Sequence, residues 1–421
     1  MAGKKPGFSG GTHAMLLLSC AVFAAALWML LAGRPQQGGV AADLENLQGL
    51  RFSDASPAEM TPPPDEGTPP AAPVAAATPK PEAPESAFTI AAAGAVSTGR
   101  SILEFAQERG GYDFSTVFLG FGPALQGADL SLCTLETMTD DRQAYGSANA
   151  PAALLDALRG SGFGLLSLAT ERMLDEGYDG LDVTQLEMTR RALMASGVRE
   201  AGELPGCILS LGGIRTAILA YTYGLSEEGA ARTGGDPRGE APLLAEEEMV
   251  RDIVRARASG AEAVVLLLHW GVKNRDDVPP SVEALAHRLA AAGADIILGT
   301  HPGIVQRGSL VKVTRSDGLM YDALICYSLG CLLSEARSEE NAAGAVLRIS
   351  AAYDRTRRRL RFQGIELVPT YVARQEEEGK TAWRIVEAES EAALSALNAG
   401  EQEAARRAAL RVRAAYEGEE P

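Results

Sequence analysis

The stretch from Val264 to Gln306, VVLLLHWGVKNRDDVPPSVEALAHRLAAAGADIILGTHPGIVQ, constrains the fold of this chain more than any other. Val264 to Leu268 is an unbroken apolar run of the kind that forms a parallel strand covered on both faces. The spacing of Val282, Leu285 and Leu289, behind two prolines and the cap-like Ser281, predicts a helix from Ser281 to Ala292. Asp295 to Leu298 then reads as a second buried strand. Strand, helix and strand make a βαβ unit, and such sheets carry their ligands at the carboxyl ends of the strands. His269 and His301 both fall there. A histidine after an apolar strand is commonly a satisfied loop residue, but two of only 4 histidines in the chain occupy this position, which favours a site.

Outside that stretch, apolar runs and helical spacings alternate. Phe88 to Ala93 reads as a strand entering the turn Gly94 to Arg100, and a helix follows. Ala128 to Glu136 is a strand ending in an acid, Pro151 to Ser161 a helix, and Phe163 to Leu168 a buried strand leading into Ala169-Thr170-Glu171-Arg172. A helix from Val183 to Ala195 precedes strands near Ile208 to Leu211 and Thr216 to Tyr221. The stretch Gly224 to Pro242 reads as a polar, glycine-rich loop, and Leu243 to Ser259 as an amphipathic helix. Ser309 to Thr314 and Asp322 to Tyr327 read as strands, and Ala345 to Tyr353 with Arg359 to Val368 as a hairpin whose turn holds Arg355, Arg357 and Arg358. Trp383 to Glu417 has the alanine, glutamate and arginine content of a surface or partner-docking helix pair. The class expected is α/β with a substantial sheet.

The ends differ in kind from this core. Ala14 to Ala32 is apolar and uncharged over about the ~20 residues a bilayer-spanning helix needs, and Lys4 and Lys5 precede it. A cleaved signal peptide and a lipoprotein signal at Leu17-Leu18-Ser19-Cys20 compete with an uncleaved signal anchor. The apolar run continues past Cys20 with no clean small-x-small site, which favours the anchor. The expected organisation is a cytoplasmic segment 1–13, a transmembrane anchor 14–33, a Pro/Ala-rich tether 34–87, a folded domain 88–373 and a charged helical tail 374–421. That places a single-pass protein in the cell membrane with its C-terminal domain extracellular. A net charge of -16 argues against a nucleic-acid partner, which requires a basic face. The 5 cysteines show no metal-knuckle or redox spacing; Cys133, Cys326 and Cys331 sit in apolar runs, where free buried thiols are expected, with a disulfide of unspecified pairing as the alternative outside the cytoplasm.

The order of the turns resembles the CapA family, the poly-γ-glutamate capsule biosynthesis proteins, from about Phe88 to Val372. The family's signatures are G-D-x-x-x-x-R, N-L-E, A-N-N-H followed by x-x-D-x-G, H-W-G-x-E, G-x-H-P-H and Y-S-L-G-N-F. The chain holds Gly94 with Arg100, Leu135-Glu136, Ala169 with Asp175 and Gly177, His269-Trp270-Gly271, Gly299-Thr300-His301-Pro302, and Tyr327-Ser328-Leu329-Gly330. The resemblance implies a calcineurin-type, metallophosphoesterase-like layered α/β/β/α sandwich, here preceded by a transmembrane helix. The chain departs from the pattern at Ala95, Thr134, Thr170-Glu171-Arg172, Lys273, Gly303, Cys331 and Leu332.

A two-metal site clamps attacking and leaving oxygens between ions roughly 3.5–4 Å apart. The resemblance implies that Ala95 and Gly303 stand where one ion would be held, and neither ligates. It leaves Glu136, Glu171, His269 and His301 as candidate ligands for one Zn²⁺ or Mn²⁺, or for none. Arg172 replaces a histidine that would serve the leaving group; a guanidinium donates no proton near neutral pH but clamps carboxylate or phosphate. Arg172 and His269 are the candidate catalytic residues, and Arg100, Arg172 and Lys273 the candidate contacts to an anionic substrate. General acid–base help alone is worth roughly 10²–10⁴-fold, so its loss together with an ion implies impaired hydrolysis. The expected function is a binding or scaffold member of a capsule or envelope polymer synthesis complex. The alternative is an active single-metal hydrolase or transferase acting on a phosphoester or γ-glutamyl polymer.

Overall fold

The computed structural model describes residues 86–418 apart from 316, 336, 337 and 378. The candidate anchor Ala14 to Ala32, Cys20 and most of the tether lie outside the described residues. No helix among the described residues is long and apolar enough to cross a membrane.

In chain order the main elements are β1 (Ala87–Val96), α1 (Arg100–Ala106), β2 (Leu130–Leu135), α2 (Ala153–Ser161), β3 (Leu165–Ser167), α3 (Gly177–Arg190) and β4 (Met194–Ser196). They continue with β5 (Gly206–Leu211), β6 (Ile214–Thr222), α4 (Glu227–Thr233), α5 (Glu246–Ala258), β7 (Ala263–His269), α6 (Pro280–Ala292) and β8 (Ile296–Thr300). The rest are β9 (Val305–Thr314), β10 (Met320–Leu329), β11 (Cys331–Leu333), β12 (Ala343–Asp354), β13 (Arg359–Glu377), β14 (Lys380–Glu387) and α7 (Ala399–Glu417). One sheet has the order β14-β13-β12-β1-β2-β3-β4, with β11 also paired to β1; the other has the order β9-β10-β8-β7-β6-β5.

Side-chain alternation along the strands builds the layers. In β7 the side chains of Val265 and Leu267 join Ile90, Leu132 and Leu165 of the facing sheet in one core. Val264, Leu266 and Leu268 point the other way, onto Met249 and Ile253 of α5 and Leu289 of α6. The first sheet does the same: Ile90 and Ala92 of β1 face the second sheet, while Ala91 and Ala93 pack with Ile102 of α1, Leu154 of α2 and Leu181 of α3. The result is helices, sheet, sheet, helices. Its hydrophobic drive is that of any core: burying one Val, Leu or Ile side chain is worth roughly 1.5–3 kcal/mol.

The structure differs from the sequence reading in three places. The loop 224–242 contains α4, whose N-cap Ser226 accepts from the Gly229 amide. The region from Trp383 begins in a strand: β14 pairs antiparallel with β13, with Arg374 opposite Trp383, so only Glu391–Leu394 and α7 of the expected helical tail are helical. Ala195, expected to end a helix, lies instead in β4, because α3 stops at Arg190.

Candidate metal centre

Five parallel strands, three from one sheet and two from the other, end in one place. In the second sheet Thr222 of β6 pairs with His269 of β7, which pairs with Thr300 of β8, so these three strands end level. From the first sheet, β2 delivers Glu136 and β3 leads through Leu168 to Glu171. Thr300 Oγ1 donates to Thr134 Oγ1 across the two sheets at 3.4 Å.

Glu171, His269 and His301 converge, with one donor atom of each lying within 4.8 Å of the others. His269 Nε2 contacts Glu171 Oε2, His301 Nδ1 lies 3.1 Å from His269 Nε2, and His301 Nδ1 lies 3.4 Å from Glu171 Oε2. His269 is buried at 1% exposure, and its Nδ1 sits 3.3 Å from Thr300 Oγ1. The Glu171 loop is tied down by the Ser226 amide, which donates to the Glu171 carbonyl at 2.7 Å. His301 itself has φ 92°, a conformation that is strained for a residue with a Cβ.

This donor set fits a metal ion. Two imidazoles and one carboxylate are the ligands of catalytic zinc sites that keep a fourth position open. Bonds of ~2.0–2.1 Å in a tetrahedron put neighbouring ligand atoms about 3.3 Å apart, close to the separations that His301 Nδ1 shows here. Two ring nitrogens and a carboxylate oxygen crowded on one point leave only a proton to share between them unless a cation stands there.

Glu136 is placed differently from the other candidates. Its Oε1 lies 3.9 Å from His269 Nδ1, the ring nitrogen turned away from Glu171 and His301. It flanks the cluster and does not complete it. Burial raises its carboxyl above the usual range, and the Glu171 charge adds to this against His269, His301 and Lys273. Glu171 behaves oppositely. Burial opposes its ionisation, but hydrogen bonds from His269 and His301 outweigh this and hold its carboxyl well below the usual range.

The three candidate cations are engaged in different ways. Lys273 is exposed, and its charge reaches Glu136 and Cys331; its loop is fastened by the Asn274 amide, which donates to Pro302 O at 2.8 Å. Arg172 directs Nε to Asp175 at 3.2 Å and Nη1 to Ser147 O at 2.9 Å, so it braces two loops beside the cluster. Arg100 pairs with Glu104 at 2.8 Å on the surface. Ala95 is buried against Gly330, whose carbonyl accepts from its amide, and Gly303 O accepts from Asn341 Nδ2 at 3.2 Å.

Tyr223 is a neighbour that the sequence reading passed over. Its ring lies 4.6 Å from that of His301 and 6.0 Å from that of His269, stacked on the latter at 14°. It is the first residue beyond β6. The rule that singled out the two histidines, a side chain just past a buried parallel strand, points to it equally.

The model of the bacterial capsule synthesis protein PGA_cap family matches residues 89–336. The capsule biosynthesis protein CapA of Bacillus anthracis is 28% identical over 256 residues, 58% of this chain and 59% of that protein. The PGA biosynthesis protein CapA of Bacillus subtilis is 23% identical over 246 residues, 56% of this chain and 60% of that protein. The matched stretch thus spans about three-fifths of the length of either relative. Among solved structures, the calcineurin-like phosphoesterase YfkN of Bacillus subtilis aligns at 12% identity and a TM-score of 0.38, covering 78% of this chain and 100% of that one. With the family model matching more than half of its length, the chain belongs to the bacterial capsule synthesis protein PGA_cap family.

Proposed function

We propose that this protein is a membrane-anchored component of capsule-type polymer biosynthesis, with a single-ion site that binds an anionic polymer such as poly-γ-glutamate and hydrolyses it poorly or not at all. The convergence of Glu171, His269 and His301 carries this reading. These three side chains would hold a Zn²⁺ or Mn²⁺ ion, and Thr300 orients the His269 ring from its far side. Such an ion supplies Lewis-acid polarisation of a carboxylate, carbonyl or phosphoryl oxygen. Glu136 flanks His269 on the side away from Glu171, and Lys273 adds positive charge at the same flank. Ala95 and Gly303 offer no donor atom to a second ion, and the Arg172 guanidinium is engaged by Asp175 and Ser147, so the leaving group lacks both a second clamp and an acid.

Reconstitution of the full-length protein with Zn²⁺ or Mn²⁺, followed by metal analysis, tests this. About one ion per chain is expected, and free metal at about 100 times Kd adds about 2.7 kcal/mol of stability, read as a rise in Tm. His269→Ala and His301→Ala should lose both effects. Absence of bound metal together with an unchanged Tm in the wild type would sink the single-ion reading. Rapid hydrolysis of bis(p-nitrophenyl) phosphate, lost in the same variants, would replace the binding function with an active hydrolase.

A further inference from the structure

We infer that Tyr223 is a positioning residue of the ion site, its ring holding the His301 imidazole in the orientation that presents Nδ1 to Glu171 and His269. This rests on the single-ion reading above.

The two histidines are fixed by different means. His269 is buried and held at both ring nitrogens, by Thr300 Oγ1 at Nδ1 and by Glu171 at Nε2. His301 has polar contacts at Nδ1 only, and its Nε2 has no hydrogen-bond partner among the described residues. Metal-bound histidines are usually oriented by a hydrogen bond from the second ring nitrogen to a carboxylate, carbonyl or water. Here aromatic contacts stand in that place. The Tyr223 ring lies 4.6 Å from the His301 ring at 48°, and the His269 ring lies 4.7 Å away at 62°. Offset and edge contacts of this kind are favourable beyond area burial and depend on the relative orientation of the rings.

The backbone makes the restraint necessary. With φ 92°, His301 sits in a turn where its side chain lacks the support of a strand, and strained residues persist only where their surroundings over-determine them. Tyr223 is anchored well enough to serve. Its amide donates to the His269 carbonyl at 3.0 Å, which locks it to the strand that carries the other imidazole. The hydroxyl has no hydrogen-bond partner among the described residues, and the residue is 48% exposed, so the ring face and not the phenol is the working part.

Co²⁺ titration of the full-length protein, followed by its visible d–d absorption, reads affinity and ligand geometry without any assay of turnover. Wild type and Tyr223→Phe should bind alike and show the same band. Tyr223→Ala should bind roughly 2–10-fold more weakly, the weakening that loss of one aromatic contact produces, with an altered band. The Tm of each metal-free variant separates lost positioning from lost folding, and Tyr223→Leu, which keeps the bulk without the aromatic face, repeats the test if the alanine variant melts early. An alanine variant with wild-type affinity and spectrum overturns the role of Tyr223 while leaving the ion site standing. A phenylalanine variant as weak as alanine also overturns it, since the hydroxyl would then be the active group. A wild type that takes up no cobalt overturns both this inference and the single-ion reading.

Discussion

At the scale of single residues, the geometry beside His301 depends on Gly299. A Cβ built on it would lie 1.8 Å from the Tyr327 carbonyl oxygen and 2.4 Å from Trp270 Nε1, which itself donates to that carbonyl at 2.9 Å. Only glycine lets β8 approach β10 so closely, two residues before a proposed ligand. Gly299→Ala is expected to cost roughly 3 kcal/mol, the upper end of ordinary overpacking, and to shift the Trp270 fluorescence. Guanidinium unfolding checks it; a loss under about 0.5 kcal/mol, the scatter of surface substitutions, would show that the strands part easily. At this scale the sequence was informative in one direction. His269, His301 and Glu171 stand just beyond apolar runs, which made their placement readable. What was not readable is which ring nitrogen faces which carboxylate: Glu136 comes from a strand as apolar as the others, yet meets His269 from the Nδ1 side. That relation is set by how the two sheets are stacked, and no local pattern encodes it.

Among the elements, α7 is the one whose role departs most from expectation. It is capped by Asn398, whose side chain accepts from the Glu401 amide, and ends at Gly418. Ala405, Ala408, Ala409 and Val412, spaced as one helical stripe, are buried in the same core as Val265 and Ile90. A surface or partner-docking helix pair was expected, but α7 closes the inter-sheet core. Alanines hide this, because they are good helix formers with little hydrophobic weight and the stripe reads as composition. Ala408→Asp should therefore destabilise the domain by roughly 3 kcal/mol or more, since it buries an unpaired charge. Arg407→Ala, one position away and paired on the surface with Glu339 at 3.0 Å, should leave the urea midpoint almost unchanged. Equal effects of the two would mean that α7 is not seated in the core. The strand β14 was missed for a related reason. Ala382, Trp383, Ile385 and Val386 are buried, but they lie in a charged stretch whose helical residues begin only a few positions later.

Across the whole molecule, the layering itself is invisible to local pattern. Every residue of β7 is buried, so no alternation of apolar and polar tells which side chains face the other sheet and which face helices. The α/β class was legible from alternation of elements, whereas the stacking of two sheets came only with the family resemblance. The consequence of the stacking is shared strands: β1 lends Ile90 and Ala92 to the inter-sheet core and Ala91 and Ala93 to the helix-covered one. Neither layer can open without exposing part of the other, which argues for a single cooperative unfolding step. The cysteines can report this, since Cys326 sits in the inter-sheet core, Cys133 in the outer one, and both are free. Burial pushes the Cys326 and Cys331 thiols up to about 12, and Cys133 rises for the same reason. Thiolate is the reactive form, so at pH 8 these three should be silent to iodoacetamide in the native protein, while the half-buried Cys207, pushed up to about 11, reacts slowly. In rising guanidinium, mapped by mass spectrometry, Cys133 and Cys326 should become labelled at the same concentration. Cys133 labelling at a clearly lower concentration than Cys326 would mean that the helical layer peels from a surviving two-sheet core, and that the shared strand β1 does not couple them.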